Sequence, residues 1–365
     1  MYKTLALNLG STSTKIAYYE DEVCKAKSNI EHPVEETKQF NHFMDQSKYR
    51  EKYIEKFMDD NNIDINELDA IVSRGGHTKP LEGGVYRVCE EMLEQQASGL
   101  YGQHPCDLGS KIAYEMCKNV KAVPLIVDPP ITDEFEPLAR LSGHPLIERK
   151  SCFHALSHKA TAKRFSMENG LKYDEINLIV VHLGGGISVA PHKKGRIIDG
   201  DNGLDGDGAY STNRTGALPV GDLAKLCFSG KYTYEQVKKM LNGNGGLVAY
   251  LGESDVKTIE NISKTDERAA LYLDGMIYQV CKSIGACATV LCGRVDAILV
   301  TGGIAYSNSI IQKIKDRCEF IAPVVVYPGE NEMNSLARGA LEGLRGNEPI
   351  RDFNASSTVT FQLIQ

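Results

Sequence analysis

The residues best equipped for chemistry gather in two glycine- and serine-rich turns. The first is Asn8-Leu9-Gly10-Ser11-Thr12-Ser13-Thr14-Lys15; the second is His182-Leu183-Gly184-Gly185-Gly186-Ile187-Ser188. Each follows one apolar run and precedes another, which reads as strand, turn, strand. Small residues in such a turn leave backbone N–H groups and hydroxyls open to a phosphate. Ser11, Ser13 and Lys15 offer hydroxyls and a cation in the first turn. Gly184, Gly185 and Gly186 offer bare backbone in the second, with His182 at its entry. One such turn alone is an ordinary β-hairpin. Two copies half a chain apart, with the same Leu-Gly core after a polar residue, predict two related lobes that each present a phosphate-binding hairpin.

Elements must hold these turns in place. Three further apolar runs end in Ser73-Arg74-Gly75-Gly76, in Asp128 and in Thr301-Gly302-Gly303. Polar residues at strand ends are where α/β proteins place ligands. Helical patterns alternate with the strands, as at Leu108 to Cys117, Leu156 to Asn169 and Asn334 to Arg345. The alternation predicts an α/β fold with mixed or parallel sheets flanked by helices. Asp128-Pro129-Pro130 breaks regular structure, so the lobes divide near it. The expected division is an N-terminal lobe of 1–133, completed by a C-terminal helical segment at 334–365, and a second lobe of 134–333.

Composition narrows the function classes. A chain of 365 residues, 42% apolar and 24% charged, fits two globular domains. A net charge of -7 with scattered Lys and Arg argues against a nucleic-acid surface. No run is apolar enough to span a membrane and no signal peptide is evident, so the expectation is a cytoplasmic protein. Ten cysteines occur without any Cys-x-x-Cys pair, and they read as reduced core residues rather than as a zinc or redox site. The segment Asp199 to Gly208 resembles a calcium loop, but Tyr210 stands where an EF-hand needs Glu. It reads as a mobile cleft loop. Classical P-loop and dinucleotide fingerprints do not occur.

The paired hairpins, with Thr301-Gly302-Gly303-Ile304 as a third element, resemble the acetate and sugar kinase, heat-shock chaperone and actin superfamily. That resemblance implies two duplicated actin-like ATPase lobes, ribonuclease H-like in fold, with a nucleotide cleft between them. Asn8 to Lys15 and Phe153-His154-Ala155-Leu156-Ser157-His158-Lys159 are similar to signatures of the acetokinase family. Ser73-Arg74-Gly75-Gly76, Leu204-Asp205-Gly206-Asp207-Gly208 and Gly243 to Gly252 resemble the butyrate and branched-chain fatty acid kinases within it. The match is collinear over nearly the whole chain.

The resemblance implies ATP-dependent phosphorylation of a short-chain carboxylic acid to an acyl phosphate, reversible with ATP formation. Its implied cofactors are ATP/ADP and Mg²⁺. Arg74 is expected to hold the substrate carboxylate, and Arg214 to stabilise the transition state. His154 matches the family's transition-state histidine, and His104 a further active-site position. Asp128 matches the active-site acid. A carboxylate nucleophile is already ionised at neutral pH, so Asp128 is expected to orient magnesium or water rather than to take a proton. Asn8 and Glu332 match the magnesium positions, with Glu330 a close competitor. Gly302 and Gly303 are expected to admit the adenosine, with Ile304 as its apolar contact. The chain departs from acetate kinases at Ala305-Tyr306-Ser307 and at Asp255-Val256-Lys257. An acetate or propionate kinase is the near alternative, and a chaperone-like or filament-forming ATPase the distant one. A homodimer or larger homo-oligomer is a further implication.

Overall fold

The computed structural model describes residues 1–356 apart from Asn41, Asp205 and Glu330. It divides into two compact units. Unit 1 comprises Met1–Asp133 and Asn331–Gln365, and unit 2 comprises Glu134–Glu330. The tail beyond Ser356 lies outside the described residues.

Unit 1 is built on β1 (Lys3–Leu9), β2 (Ser13–Glu20), β3 (Val23–Glu31), β4 (Ala70–Ser73), β5 (Val85–Arg87) and β6 (Val123–Val127), with a short strand at Ile350–Arg351. From that short strand the sheet order runs β5-β6-β4-β1-β2-β3. β1, β2 and β3 form an antiparallel meander, while β4 pairs parallel with both β1 and β6. Side chains alternate across the sheet. Leu5, Leu7 and Leu9 face a core shared with Ile54 and Phe57 of the helix Ser47–Asp60 and with Leu108 and Ile112 of the helix Asp107–Cys117. Burying each such side chain contributes about 1.5–3 kcal/mol. The even-numbered residues of β1 therefore point to the opposite face, where the helix Glu332–Leu344 lies along the strand. Parity alone thus sends Asn8 toward the first turn of that helix.

Unit 2 repeats the plan. Its strands are β7 (Asn177–Leu183), β8 (Ile187–Lys193), β9 (Arg196–Ile197), β10 (Ala297–Gly302) and β11 (Val324–Pro328), in sheet order β9-β8-β7-β10-β11. β7, β8 and β9 again form an antiparallel meander, and β10 again pairs parallel with the first strand. The duplicated actin-like plan is thus present in both units. Odd-numbered residues of β7 and β8, such as Val181, Ile187 and Val189, pack against the long helix Glu267–Val290. Leu178 and Val180 face Ala162 and Phe165 of the helix Ala155–Glu168. His182, Ser188 and His192 share that second parity, so they face the same helix.

Candidate active site

In unit 1, three neighbouring parallel strands deliver the polar residues. Leu7 pairs with Ser73, and Ser73 with Ile126, so Asn8, Arg74 and Asp128 follow at adjacent strand ends. Asn8 is 6% exposed and donates its side-chain N–H to Glu332 Oε2 at 2.5 Å. Arg74 Nη1 lies 3.4 Å from the other oxygen of Glu332. The two proposed metal residues and one of the two arginines, scattered over more than three hundred positions, thus form one cluster. Glu332 also opens its helix, where a carboxylate is favoured by the helix dipole. Glu330 lies outside the described residues.

Asp128 sits at φ +40°, a left-handed conformation that Asp tolerates better than most residues. A reciprocal pair of bonds holds it there. Its Oδ1 accepts the Gly84 N–H at 2.8 Å, and its own N–H donates to the Gly84 carbonyl at 3.0 Å. His104 lies near Arg74. Its pKa is lowered first by desolvation, then by the neighbouring Arg74 guanidinium, against the pull of Asp107.

Asp107 was missed by the sequence reading. It is fully buried and accepts the backbone N–H of His77 at 2.8 Å and of His104 at 3.0 Å, so it staples two loops that flank Arg74. With His77 and Cys106 it forms a set of potential metal-ligand atoms within 4.8 Å of one another. The carboxylate is already committed to those backbone donors, and burial pushes the Cys106 thiol up to about 12. The set therefore fits a structural role. Arg50 was missed as well. This fully buried side chain donates to the carbonyls of Gly10 at 2.8 Å, Ser13 at 2.9 Å and Ser11 at 2.9 Å. It fixes the first turn from below and leaves Ser11 exposed. Lys15 pairs across the strands with Asn8, so the two side chains leave the same face.

In unit 2, His182 and Ser188 are cross-strand partners. His154 immediately precedes the helix Ala155–Glu168 and stacks on His182 with ring centroids 4.0 Å apart. Ser157 Oγ is 2.9 Å from His182 Nδ1, and His154 Nδ1 is 2.9 Å from Ser188 Oγ. The turn itself is held by Ser211, whose hydroxyl donates to the Gly185 carbonyl at 2.6 Å. Arg214 lies against Gly186 and donates to the Gly203 carbonyl. A Cβ at position 186 would displace its guanidinium, so glycine there leaves the arginine its place. Gly185 is exposed, with open space where a Cβ would stand.

Gly302 ends β10 at φ +94°, and a side chain there would meet the Leu183 carbonyl. Gly303 is exposed and unobstructed. Ile304 requires a correction. Its side chain was expected against the nucleoside, yet it is 8% exposed and belongs to the main core of the unit, since the short 3₁₀ turn Gly303–Tyr306 rotates it inward. The departures from the acetate kinase wording have local explanations. Asp255 caps the helix Val256–Ile262 by accepting the Thr258 N–H at 2.9 Å, and Ser307 caps the helix Asn308–Cys318.

The Asp199 to Gly208 segment is tied down by one arginine. Arg149 binds Asp199 at 2.8 Å, Asp207 at 2.6 Å and the Gly200 carbonyl at 3.0 Å. These bonds strap the loop at both of its ends; Asp205 lies outside the described residues. Within it, burial pushes the Asp201 carboxyl up to about 7. Its folded pKa exceeds the unfolded one, so its contribution is full below about pH 4 and is lost as pH rises toward 7. The Asp201→Asn variant is expected to lose that slope and to be roughly 3–4 kcal/mol less penalised at pH 8. Urea unfolding at pH 5 and pH 8 measures the difference. All ten cysteines are free thiols, and among the described residues no helix is long and apolar enough to cross a membrane.

The model of the acetokinase family matches residues 141–336. Butyrate kinase 1 of Clostridium acetobutylicum is 47% identical over 354 residues, 97% of this chain and 100% of its own. A protein of Bacteroides thetaiotaomicron named "Probable butyrate kinase" is 48% identical over 96% of this chain and 99% of its own. The crystal structure of Porphyromonas gingivalis acetate kinase superposes with a TM-score of 0.77 at 20% identity, covering 93% of this chain and 99% of that one. At that identity the likeness speaks for the fold.

Proposed function

This chain belongs to the acetokinase family, and from that premise we propose that it is a butyrate kinase. It phosphorylates the carboxylate of a short-chain fatty acid, butyrate or a branched acid of similar length, with ATP, and it runs in reverse to make ATP. The observation that carries this reading is the 47% identity to a butyrate kinase across 97% of the chain.

A substrate carboxylate oxygen attacks the γ-phosphorus; a new P–O bond forms, the bond to the ADP oxygen breaks, and ADP leaves. No proton has to move in that step, because the acid is already ionised. Arg74 holds the substrate carboxylate through paired N–H donors. Asn8 and Glu332 supply an amide oxygen and a carboxylate, hard donors that suit magnesium, which takes one or two protein carboxylates and keeps several waters. The ion, when bound, neutralises phosphate charge. Asp128 would orient the ion or its waters, and His104 with Lys15 would add polar contacts. Within unit 2, the backbone of Gly184, Gly185 and Gly186 offers N–H groups to phosphates; within unit 1, Ser11 and Ser13 offer hydroxyls. Gly302 and Gly303 leave room for the nucleoside. Arg214 and His154 meet the charge that develops on the equatorial oxygens, with His182 beside them. We extend the reading to a cytoplasmic homodimer or larger homo-oligomer, as the family resemblance implies.

Gly185→Val is expected to raise the apparent KM for ATP about tenfold or more, because a branched side chain would fill open space over the turn. An unchanged KM would remove the turn from nucleotide binding. The function itself is tested by ATP-dependent acyl phosphate formation, trapped with hydroxylamine, across acetate, propionate, butyrate, isobutyrate and isovalerate. Two methylenes at about 0.8 kcal/mol each correspond to roughly tenfold discrimination of butyrate over acetate. A peak in kcat/KM at acetate or propionate would keep the family and overturn the substrate.

A further inference from the structure

Behind His154 runs a line of polar side chains that the reaction above does not use. His154 Nδ1 and His158 Nε2 each lie 2.9 Å from Ser188 Oγ. On the far side of its ring, His158 Nδ1 is 3.4 Å from His192 Nε2. His192 Nδ1 is 2.7 Å from the Tyr173 hydroxyl. Ser188, His158 and His192 are all fully buried. Strand parity, which puts Ser188 and His192 on one face of β8, and the helical position of His158 bring them into line. We propose that Tyr173, His192, His158 and Ser188 form a positioning chain that fixes His154 as its Nε2–H tautomer, so that this ring offers an N–H donor rather than a lone pair at Nε2. The proposal rests on the reading of His154 as a transition-state residue.

The direction follows from counting protons. Burial holds His158 down to about 3 and His192 well below its ordinary value, with His182 adding to the first effect and His158 and Lys159 to the second. Both rings are therefore neutral, and each has one N–H and one lone pair. Such a chain can run in only two senses. The phenol of Tyr173 is the most acidic O–H in the line, so it donates to His192 Nδ1 at 2.7 Å. His192 then carries its proton on Nε2 and donates it to His158 Nδ1. His158 Nε2, the nitrogen that faces the Ser188 hydroxyl, is left with the proton of that ring. The Ser188 hydroxyl, receiving a proton from His158, has its own to give to His154 Nδ1. The remaining proton of His154 is on Nε2.

Nitrogen-15 NMR of the folded protein labelled at histidine tests this directly. At neutral pH, His154, His158 and His192 are each expected to show a protonated Nε2 and a bare Nδ1. Tyr173→Phe and Ser188→Ala are expected to leave His154 as a tautomer mixture and to lower kcat at least about tenfold, with the KM values for ATP and acid little changed. A protonated Nδ1 on His154 in the unaltered protein would overturn the proposal, whatever the variants do. An unchanged tautomer and kcat in both variants would overturn it as well. Full turnover in His154→Ala would instead defeat the catalytic reading of His154, while the spectrum would still decide the chain.

Discussion

Arg214→Ala is expected to lower kcat by about 10³-fold, with KM for ATP and for the acid changed far less. The guanidinium lies at the Gly184–Gly186 turn, against Gly186, and its contact with the Gly203 carbonyl sets its position. A cation that meets charge appearing only in the transition state contributes to turnover and little to ground-state binding. Gly186→Ala supplies the companion test. Its new methyl would occupy the place of the guanidinium, so it should reproduce much of the loss without removing the arginine. Stopped-flow or steady-state kinetics on both variants decide the matter. Near-normal turnover in Arg214→Ala would end the assigned role.

The second large effect concerns Arg74. Arg74→Ala should raise KM for the carboxylic acid about 100-fold, which matches the loss of one or two charge-assisted hydrogen bonds at roughly 1.5–3 kcal/mol each. Arg74→Lys should recover little, because an ammonium cannot reproduce the paired donors. The 3.4 Å approach to Glu332 makes a different outcome informative. If KM for the acid stayed put while the magnesium requirement rose or fell, Arg74 would be the partner of Glu332 and not of the substrate. Titrations of acid and of magnesium on the same preparations separate the two.

Much of this site is legible in one dimension because its signals are local. A turn that must bare its backbone needs glycine or serine at consecutive positions, and both hairpins announce themselves in that way. The strand ends carrying Asn8, Arg74 and Asp128 are likewise visible, since an apolar run stopping at a polar residue is a short-range pattern. Period-two alternation even determines which face of β1 carries Asn8 and which face of β8 carries Ser188. Ile304 shows the limit. A residue after a glycine turn points inward or outward according to a backbone rotation, and at 304 the turn sends it into the core.

What the amino-acid order determined by itself, then, was the alternation of elements, the duplication and the residue types at the turns. Tertiary structure decided which distant residues meet. Nothing near Asn8 in the chain announces Glu332, and their 2.5 Å contact exists because the C-terminal helix lies on the even face of β1. Arg50, Asp107 and the line from Tyr173 to His154 carry no local signal either. Arg50, Asp107, Ser188, His158 and His192 are polar side chains withdrawn from water, and such groups are tolerable only where partners from elsewhere in the fold satisfy them. That satisfaction is a property of packing, so it can be read only once the chain has folded.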